Sequence, residues 1–336
     1  MRPSARLPRA QTLLGLAALL LAGPAAAQTV TLRLPVDCEI GVTCFIQHYV
    51  DRDPSPAVQD YQCGTLTYAG HTGTDFRVPT LAAQEAGVDV LAAAGGKVLR
   101  VRDGMEDVSI TGRGRESVQN LECGNGLLID HGQGWETQYC HMARGSLAVK
   151  PGDMVAAGQR LGRIGLSGMT EFPHLHLTVR KDGQVVDPFA YGAPEKSCGG
   201  GASLWEPSLR QALAYQAGSV LNTGFATGPV KMAQIEAGEA GREKITPDAP
   251  ALVAFARAIG LRGGDEQVLT LFGPDGNTLA ENKAPPLDRD KAQWMMFAGK
   301  KQPAGGFRPG RYRAMYRVMR DGKPAIEKVF EVAVTR

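Results

Sequence analysis

The stretch from residue 63 to residue 191 consists of short runs of β-branched and apolar residues separated by glycine-containing turns. These runs include VDVLAAA, GKVLRVRD, GLLIDHG and HLHLTVRK. Their length and their flanking turn residues favour strands over helices. The spacing predicts a compact antiparallel β domain. One polar stretch, residues 103–122, interrupts the pattern and is predicted to be a surface loop beside the groove of that domain.

The chain of 336 residues is long enough for two domains. Three consecutive glycines and a nearby proline predict a flexible linker over residues 193–206. Alternating runs such as ALVAFARAIGL and RYRAMYRVM follow, with hairpin signals at residues 274–276 and 321–322. We interpret residues 207–336 as a second all-β unit, an immunoglobulin-like β-sandwich accessory domain. No histidine or cysteine lies beyond Cys198, so metal chemistry is expected in the first unit.

The first 27 residues resemble a secretory leader. Three arginines precede an apolar run from Leu13 to Ala22, and small residues follow up to Ala27. Because the apolar run is too short to span a bilayer, we predict a signal peptide over residues 1–27, with an uncleaved anchor as the alternative. The mature chain is then expected to cross the inner membrane, to keep no stable membrane anchor, and to reside in the periplasm or cell envelope.

Charge balance argues against nucleic-acid binding. Removing the three leader arginines from 37 basic residues leaves 34, against 34 acidic residues. A nucleic-acid partner requires a basic surface, which a neutral chain does not supply. No nucleic acid is therefore expected as a partner.

The six cysteines are an even set in a chain predicted to reach an oxidising compartment, so disulfides are expected. Folding residues 123–140 into a hairpin around the turn at residues 131–134 brings Cys123 level with Cys140, which predicts one bridge. The other four, Cys38, Cys44, Cys63 and Cys198, have no pairing that the sequence assigns. Residues 28–62 are predicted to be an extended N-terminal segment that disulfides tie down.

Four of the six histidines fall in three short motifs, GHTGTD at residues 70–75, YCHM at 139–142 and PHLHL at 173–177. On a strand, the alternation in HLHLTV places His174 and His176 on one face and the two leucines in the core. Gly70, Gly73 and the threonines around them disfavour a helix between His71 and Asp75. An extended or turning backbone puts both side chains on one side, with room for a metal beside Gly73.

Two imidazoles and one carboxylate suit Zn²⁺ in a catalytic site with three protein ligands and water. We predict His71, Asp75 and His176 as the ligands. The histidines left over, His141 and His174, are predicted to act as general acid and base and to stabilise the oxyanion, with zinc-activated water as the nucleophile. His141 is expected to share a strand face with Tyr139 and Thr137. The alternative is that His71, Asp75 and His176 are surface or core polar residues that do not meet in the fold. His48 and His131 are interpreted as structural.

Taken together, these motifs resemble the lysostaphin-like, or LytM-type, M23 metallopeptidases over Gly70–Pro188. The resemblance implies a metallopeptidase domain over residues 63–192, with a β groove that binds an extended peptide. It implies the same zinc ligands and the same two catalytic histidines. It also implies an endopeptidase acting on peptidoglycan stems or cross-links. The sequence departs from the family at Cys140, before the catalytic histidine, and at Phe172, where a small residue is usual.

Two other functions fit the same motifs. One is a non-catalytic M23-like activator of other cell-wall hydrolases, and the other is a zinc endopeptidase acting on secreted proteins. In either case a cell-wall hydrolase or another envelope protein is the predicted partner of the C-terminal domain. The scissile bond is not readable from the sequence.

Overall fold

The structure, a computed structural model, describes Met1 and residues 29–336. Apart from Met1, the predicted signal peptide lies outside these residues, as does Gln28 of the N-terminal segment. None of the helices in the described part of the chain is both long and apolar enough to cross a bilayer. We call residues 29–206 the first unit and residues 207–336 the second unit.

The first unit is almost entirely β-structure. Its strands are β1 Phe45–His48, β2 Thr74–Arg77, β3 Asp89–Leu91, β4 Gly96–Arg102, β5 Asn125–Gly132, β6 Trp135–Met142, β7 Met154–Val155, β8 Arg160–Arg163, β9 His174–Lys181 and β10 Gln184–Val186. Its helical pieces are α1 Leu81–Ala86, α2 Ile110–Arg113 and a 3₁₀ turn at Arg115–Val118. The last two lie in the polar stretch 103–122, a largely exposed loop at the surface, as the sequence predicts, in which Ile110 and Val118 are buried.

One antiparallel sheet organises this unit, in the order β1-β2-β9-β6-β5-β4-β7, with β10 added to β9. The strands β3 and β8 form a separate small pair. Side chains of one sheet face, among them Phe76, Ile129, Leu175 and Leu177, are fully buried in the core. The predicted antiparallel β domain is confirmed, and the opposite face of the sheet is left for polar side chains.

Three disulfides cross-link the first unit. The predicted Cys123–Cys140 bridge is confirmed and closes the β5–β6 hairpin. Cys38–Cys44 closes a short loop, and Cys63–Cys198 joins residues 135 positions apart. The N-terminal residues also belong to this unit, because Leu32 and Val36 lie in its core and β1 extends its main sheet.

The prediction of a flexible linker over residues 193–206 is wrong. Cys198 is bonded to Cys63, Leu204 and Trp205 are buried in the first unit's core, and Trp205 forms a β-bridge to Leu32. The glycines at 199–201 all have positive φ, so they form a tight turn and not a flexible linker. Glycine-rich composition alone does not separate these two cases.

The second unit contains two antiparallel sheets. Its elements are a 3₁₀ turn Pro207–Leu209, β11 Ser219–Ala226, α3 Met232–Ala237, β12 Ala251–Leu261, β13 Glu266–Phe272, β14 Thr278–Lys283, β15 Lys291–Lys301, β16 Gly310–Arg320 and β17 Lys323–Val334. The sheet orders are β11-β12-β15 and β14-β13-β16-β17, and a shared core lies between them. This is a β-sandwich with both predicted hairpins in place; its classification as immunoglobulin-like stays a prediction.

The two units pack against each other. Phe45 of the first contacts Leu221 and Ile259 of the second. Arg257 of β12 is fully buried and donates to the carbonyl of Pro79, while its other nitrogens meet Asn222 at 2.8 Å and Glu236 at 3.2 Å. Strand β12 is therefore buried on both faces, which explains why its sequence is an almost continuous apolar run.

Candidate metal centre

The register of four strands sets a row of side chains across the exposed sheet face. His48 of β1 is opposite Asp75 of β2, Asp75 is opposite His176 of β9, and His176 is opposite Cys140 of β6. Paired residues on antiparallel strands project to the same face. Asp75 and His176 therefore meet, with the His176 Nδ1 2.9 Å from the Asp75 Oδ1.

His71 joins the row from the turn that precedes β2. Its Nδ1 donates to the carbonyl of Tyr49 at 2.7 Å, which directs Nε2 to 3.1 Å from both the Asp75 Oδ1 and the His176 Nδ1. Gly73 makes the approach feasible: a Cβ there would lie 2.6 Å from the His176 Nε2 and 2.6 Å from the carbonyl of Leu177. The structure thus brings together the three residues predicted as metal ligands.

The donor set fits a divalent metal ion. One nitrogen from each histidine and one carboxylate oxygen converge, and all lie within 4.8 Å of one another. The other nitrogen of His71 donates to the carbonyl of Tyr49, which leaves its inner nitrogen with a free lone pair. The other nitrogen of His176 is 3.0 Å from the Thr178 hydroxyl, which can accept from it and leave the inner nitrogen of His176 free to bind a metal. Zn²⁺ with ligands at about 2.1 Å in a tetrahedron would space them by about 3.4 Å, close to the distances of 2.9–3.1 Å in the structure.

The two remaining motif histidines flank this cluster. The His174 Nδ1 donates to the carbonyl of Phe172 at 2.9 Å, and its Nε2 lies 3.4 Å from the Asp75 Oδ1. The His141 Nδ1 donates to the carbonyl of Ser167 at 2.8 Å, and its ring centre is 4.7 Å from that of His174. Backbone carbonyls therefore fix both rings, and Nε2 is the nitrogen that each can use for proton exchange.

The expectation that His141 shares a face with Tyr139 is wrong. Tyr139 packs in the core, where its hydroxyl accepts from the Ala93 N–H at 2.8 Å. His141 has φ +63°, and the pairing of β5 with β6 shifts register beside it. This irregularity breaks the two-residue alternation and turns the imidazole to the site face.

Burial and charge set the protonation of the site. Burial alone would raise the pKa of Asp75, but His71 and His174 and the hydrogen bonds to His174 and His176 hold it well below its usual value. Burial lowers the pKa of His141 well below its usual value, and His174 and His176 lower it further. His141 is thus a neutral imidazole at neutral pH, the form that accepts a proton.

Three residues near the centre were not predicted. The His48 Nδ1 donates to the Asp75 Oδ2 at 3.0 Å, the oxygen that does not face the other ligands. The Tyr68 ring lies 4.5 Å from that of His71, and the Phe172 ring lies 4.7 Å from that of His174. The interpretation of His48 as structural missed this contact, because it depends on the pairing of β1 with β2 and no local motif signals it.

The cluster lies at the bottom of an open groove on the sheet face. The groove is lined, among other residues, by the Cys123–Cys140 disulfide, Gln138, Thr178, Tyr68 and Met169. The groove continues past Arg180 toward Arg100 and Arg102. An extended peptide could lie along such a groove.

Comparison with known proteins agrees with this geometry. Residues 69–188 match the model of peptidase family M23. The chain is 30% identical over 138 residues to the peptidoglycan DD-endopeptidase ShyA of Vibrio cholerae, a match that covers 39% of this chain and 26% of that protein. It is 35% identical over 128 residues to the DD-carboxypeptidase/endopeptidase Mpg of Neisseria meningitidis, covering 38% and 24%.

The chain therefore spans about a quarter of the length of these curated relatives. Among solved structures, it is similar to the catalytic domain of the prophage-encoded M23 protein EnpA from Enterococcus faecalis. That match has 25% sequence identity and a TM-score of 0.32, and it covers 46% of this chain and 95% of that domain.

Proposed function

Residues 69–188 belong to peptidase family M23, and on that premise we propose that the chain is a zinc-dependent endopeptidase that hydrolyses peptide bonds in peptidoglycan stems or cross-links. The observation that carries the proposal is the convergence of the His71 Nε2, the Asp75 Oδ1 and the His176 Nδ1 at the bottom of an open groove. Two relatives whose names state endopeptidase activity, one of them on peptidoglycan, support the substrate class.

Each residue has a proposed role. His71, Asp75 and His176 would hold Zn²⁺, which supplies Lewis-acid polarisation of the scissile carbonyl and activates water. His141, neutral because it is buried, would accept a proton during attack and return it to the leaving amine. His174, fixed by the carbonyl of Phe172, would donate from Nε2 to the developing oxyanion.

We propose export to the periplasm or envelope as the setting. All six cysteines are paired in the structure, as expected of a chain that folds in an oxidising compartment. Fusion of the first 40 residues to alkaline phosphatase, which is active only after export, tests this directly. An inactive fusion would contradict it.

The function is tested with the purified mature chain and isolated sacculi. We expect release of soluble peptides, its loss on chelation, and its recovery when Zn²⁺ is added back. His176→Ala should abolish release, and His141→Ala should lower it by at least about 100-fold while leaving bound zinc unchanged. Arg210→Gln, an exposed change outside the groove, is the control.

The outcomes separate the alternatives. If the chain stimulates an added amidase but releases no peptide itself, it is an activator and not an enzyme. If the chain cleaves denatured secreted proteins but not sacculi, its substrates are secreted proteins and not peptidoglycan. Zinc content measured on the same samples distinguishes a chain that takes up no metal from one that holds metal without catalysis.

A further inference from the structure

The groove reaches beyond the histidines along the sheet. Arg100 of β4, Leu128 of β5, Gln138 of β6 and Thr178 of β9 are successive cross-strand partners and so occupy the site face in one row. Arg180, two residues beyond Thr178 on β9, projects to the same face. Both arginines line the part of the groove that adjoins the metal cluster through Gln138 and the Cys123–Cys140 disulfide.

One carboxylate, that of Glu136, lines this part of the groove together with the two arginines. In the described part of the chain, no ion pair within 4.0 Å involves Arg100 or Arg180, although Glu136 is the cross-strand neighbour of Arg180. The nearby Arg102 differs, because its guanidinium is held by the carbonyl of Gly124 at 2.6 Å. Burial lowers the pKa of Arg180, the carboxylate of Glu136 raises it, and Arg100 lowers it, so Arg180 interacts with a charge of each sign.

Three arginines, Arg100, Arg102 and Arg180, and the single carboxylate of Glu136 leave this part of the groove with a net positive charge, which attracts an anion. We propose that Arg100 and Arg180 form a subsite that binds a carboxylate of the substrate peptide, and that the groove selects acidic peptides. The inference rests on the proposed function for the use of the groove. It adds the chemical class of the preferred substrate and the expectation that its charge lies on only one side of the scissile bond.

Distances along the sheet define the spacing. Arg180 is four residues from His176 on the same strand, or about 13 Å. An extended peptide advances about 3.4 Å per residue, so the bound carboxylate is expected about three to four residues from the cleaved bond. The main sheet carries no second arginine pair of this kind on the opposite side of the metal cluster in residues 29–206. The charge preference should therefore apply on one side only.

The test measures binding separately from cleavage. Rhodamine-labelled alanine hexapeptides, each with one glutamate or one glutamine at successive positions, are titrated by fluorescence anisotropy into the full mature chain carrying His141→Ala. We expect glutamate at one position to bind more tightly than glutamine. We expect Arg100→Gln and Arg180→Gln each to weaken binding of that peptide about three- to tenfold, with no effect on the glutamine peptide.

Arg210→Gln is the matched control, since it removes the same charge from an exposed site outside the groove, and thermal melts confirm folding of all variants. The glutamate advantage should also shrink in 1 M salt. Equal binding of the two peptide series, or an unchanged advantage in both arginine variants, overturns the inference. Charge-selective binding by a chain that never cleaves sacculi would instead contradict the proposed peptidase and leave the carboxylate subsite standing.

Discussion

A side chain that orients one of the proposed metal ligands provides a stringent test of the site. His48 donates to the one Asp75 oxygen that faces away from His71 and His176. Groups in this position commonly change metal affinity by about 10- to 100-fold when removed. We expect His48→Ala to weaken zinc binding within this range, measured by competition with a chromogenic chelator.

His48→Gln keeps an N–H donor and should recover part of that affinity. If His48→Ala binds zinc as tightly as the unaltered chain, the hydrogen bond to Asp75 does not orient the carboxylate. Unfolding in the absence of metal, followed by circular dichroism, separates this effect from general destabilisation.

Asp187 gives a prediction for the pH dependence of stability. Burial raises its pKa from 3.8 to about 6, and its Oδ2 has no hydrogen-bond partner, while its Oδ1 accepts from the Phe189 N–H. The folded state therefore holds the proton more tightly than the unfolded state. Stability contributed by this group should fall as pH rises from about 4 to 6, and above pH 6 the charged form should cost up to about 3 kcal/mol.

Asp187→Asn removes the charge and keeps the acceptor for Phe189. It should raise the free energy of unfolding at pH 8 by about 1–3 kcal/mol and have little effect at pH 4. Urea titrations at both pH values measure this. Asp321→Asn, in an exposed hairpin turn, is the control. An equal effect of Asp187→Asn at both pH values would show that charge is not the cause.

At the level of residues, the sequence predicts the site well where the local pattern is regular. The alternation of HLHL determines which way His174 and His176 face, because a strand has only two faces. It does not predict His48 or Tyr68, whose positions depend on pairing between distant segments. Nor does it predict the orientation of His141, which depends on a single positive φ.

Among the elements, the turn into β2 is the most tightly constrained. Gly73→Ala would place a Cβ within 2.6 Å of both the His176 ring and the backbone of Leu177. We expect it to displace His176 or β2, to reduce activity at least about 100-fold, and to lower stability by about 1–3 kcal/mol. Sacculus hydrolysis and thermal melts measure the two effects.

Gly228→Ala provides a matched control, because a Cβ there meets nothing within 4 Å. It should leave activity unchanged. Normal activity of Gly73→Ala would mean that the close packing between the turn and β9 is not needed to place the metal-binding residues.

The predicted strands and hairpins mostly match the structure, since each is a short run between turn residues. The glycines at 199–201 were misjudged as part of a flexible linker. They lack periodicity, yet tertiary contacts fix this segment: a disulfide holds Cys198, and Leu204 and Trp205 are buried. Amino-acid composition indicates local structural preferences, but it does not indicate which tertiary contacts form.

For the whole molecule, the interface between the units depends on the buried guanidinium of Arg257. Removing it would leave the carbonyl of Pro79 and the Asn222 Oδ1 without this donor, take from Glu236 its ion pair, and open a cavity. We expect Arg257→Ala to destabilise the protein by about 3–5 kcal/mol, observed as a lower melting temperature or as separate transitions for the two units. Arg311→Ala, an exposed residue paired with Glu331, should have little effect. A single unchanged transition in Arg257→Ala would show that the interface does not require this residue.

The bridge between Cys63 and Cys198 encloses most of the first unit, with all of the proposed metal ligands, in one covalent ring. A backbone cut anywhere inside that ring, for instance by a protease in a crowded envelope, opens the ring without releasing either fragment. The nicked protein would migrate as one band on a gel until a reductant is added. For this chain, cleavage of the backbone and separation of the resulting fragments are thus two different events.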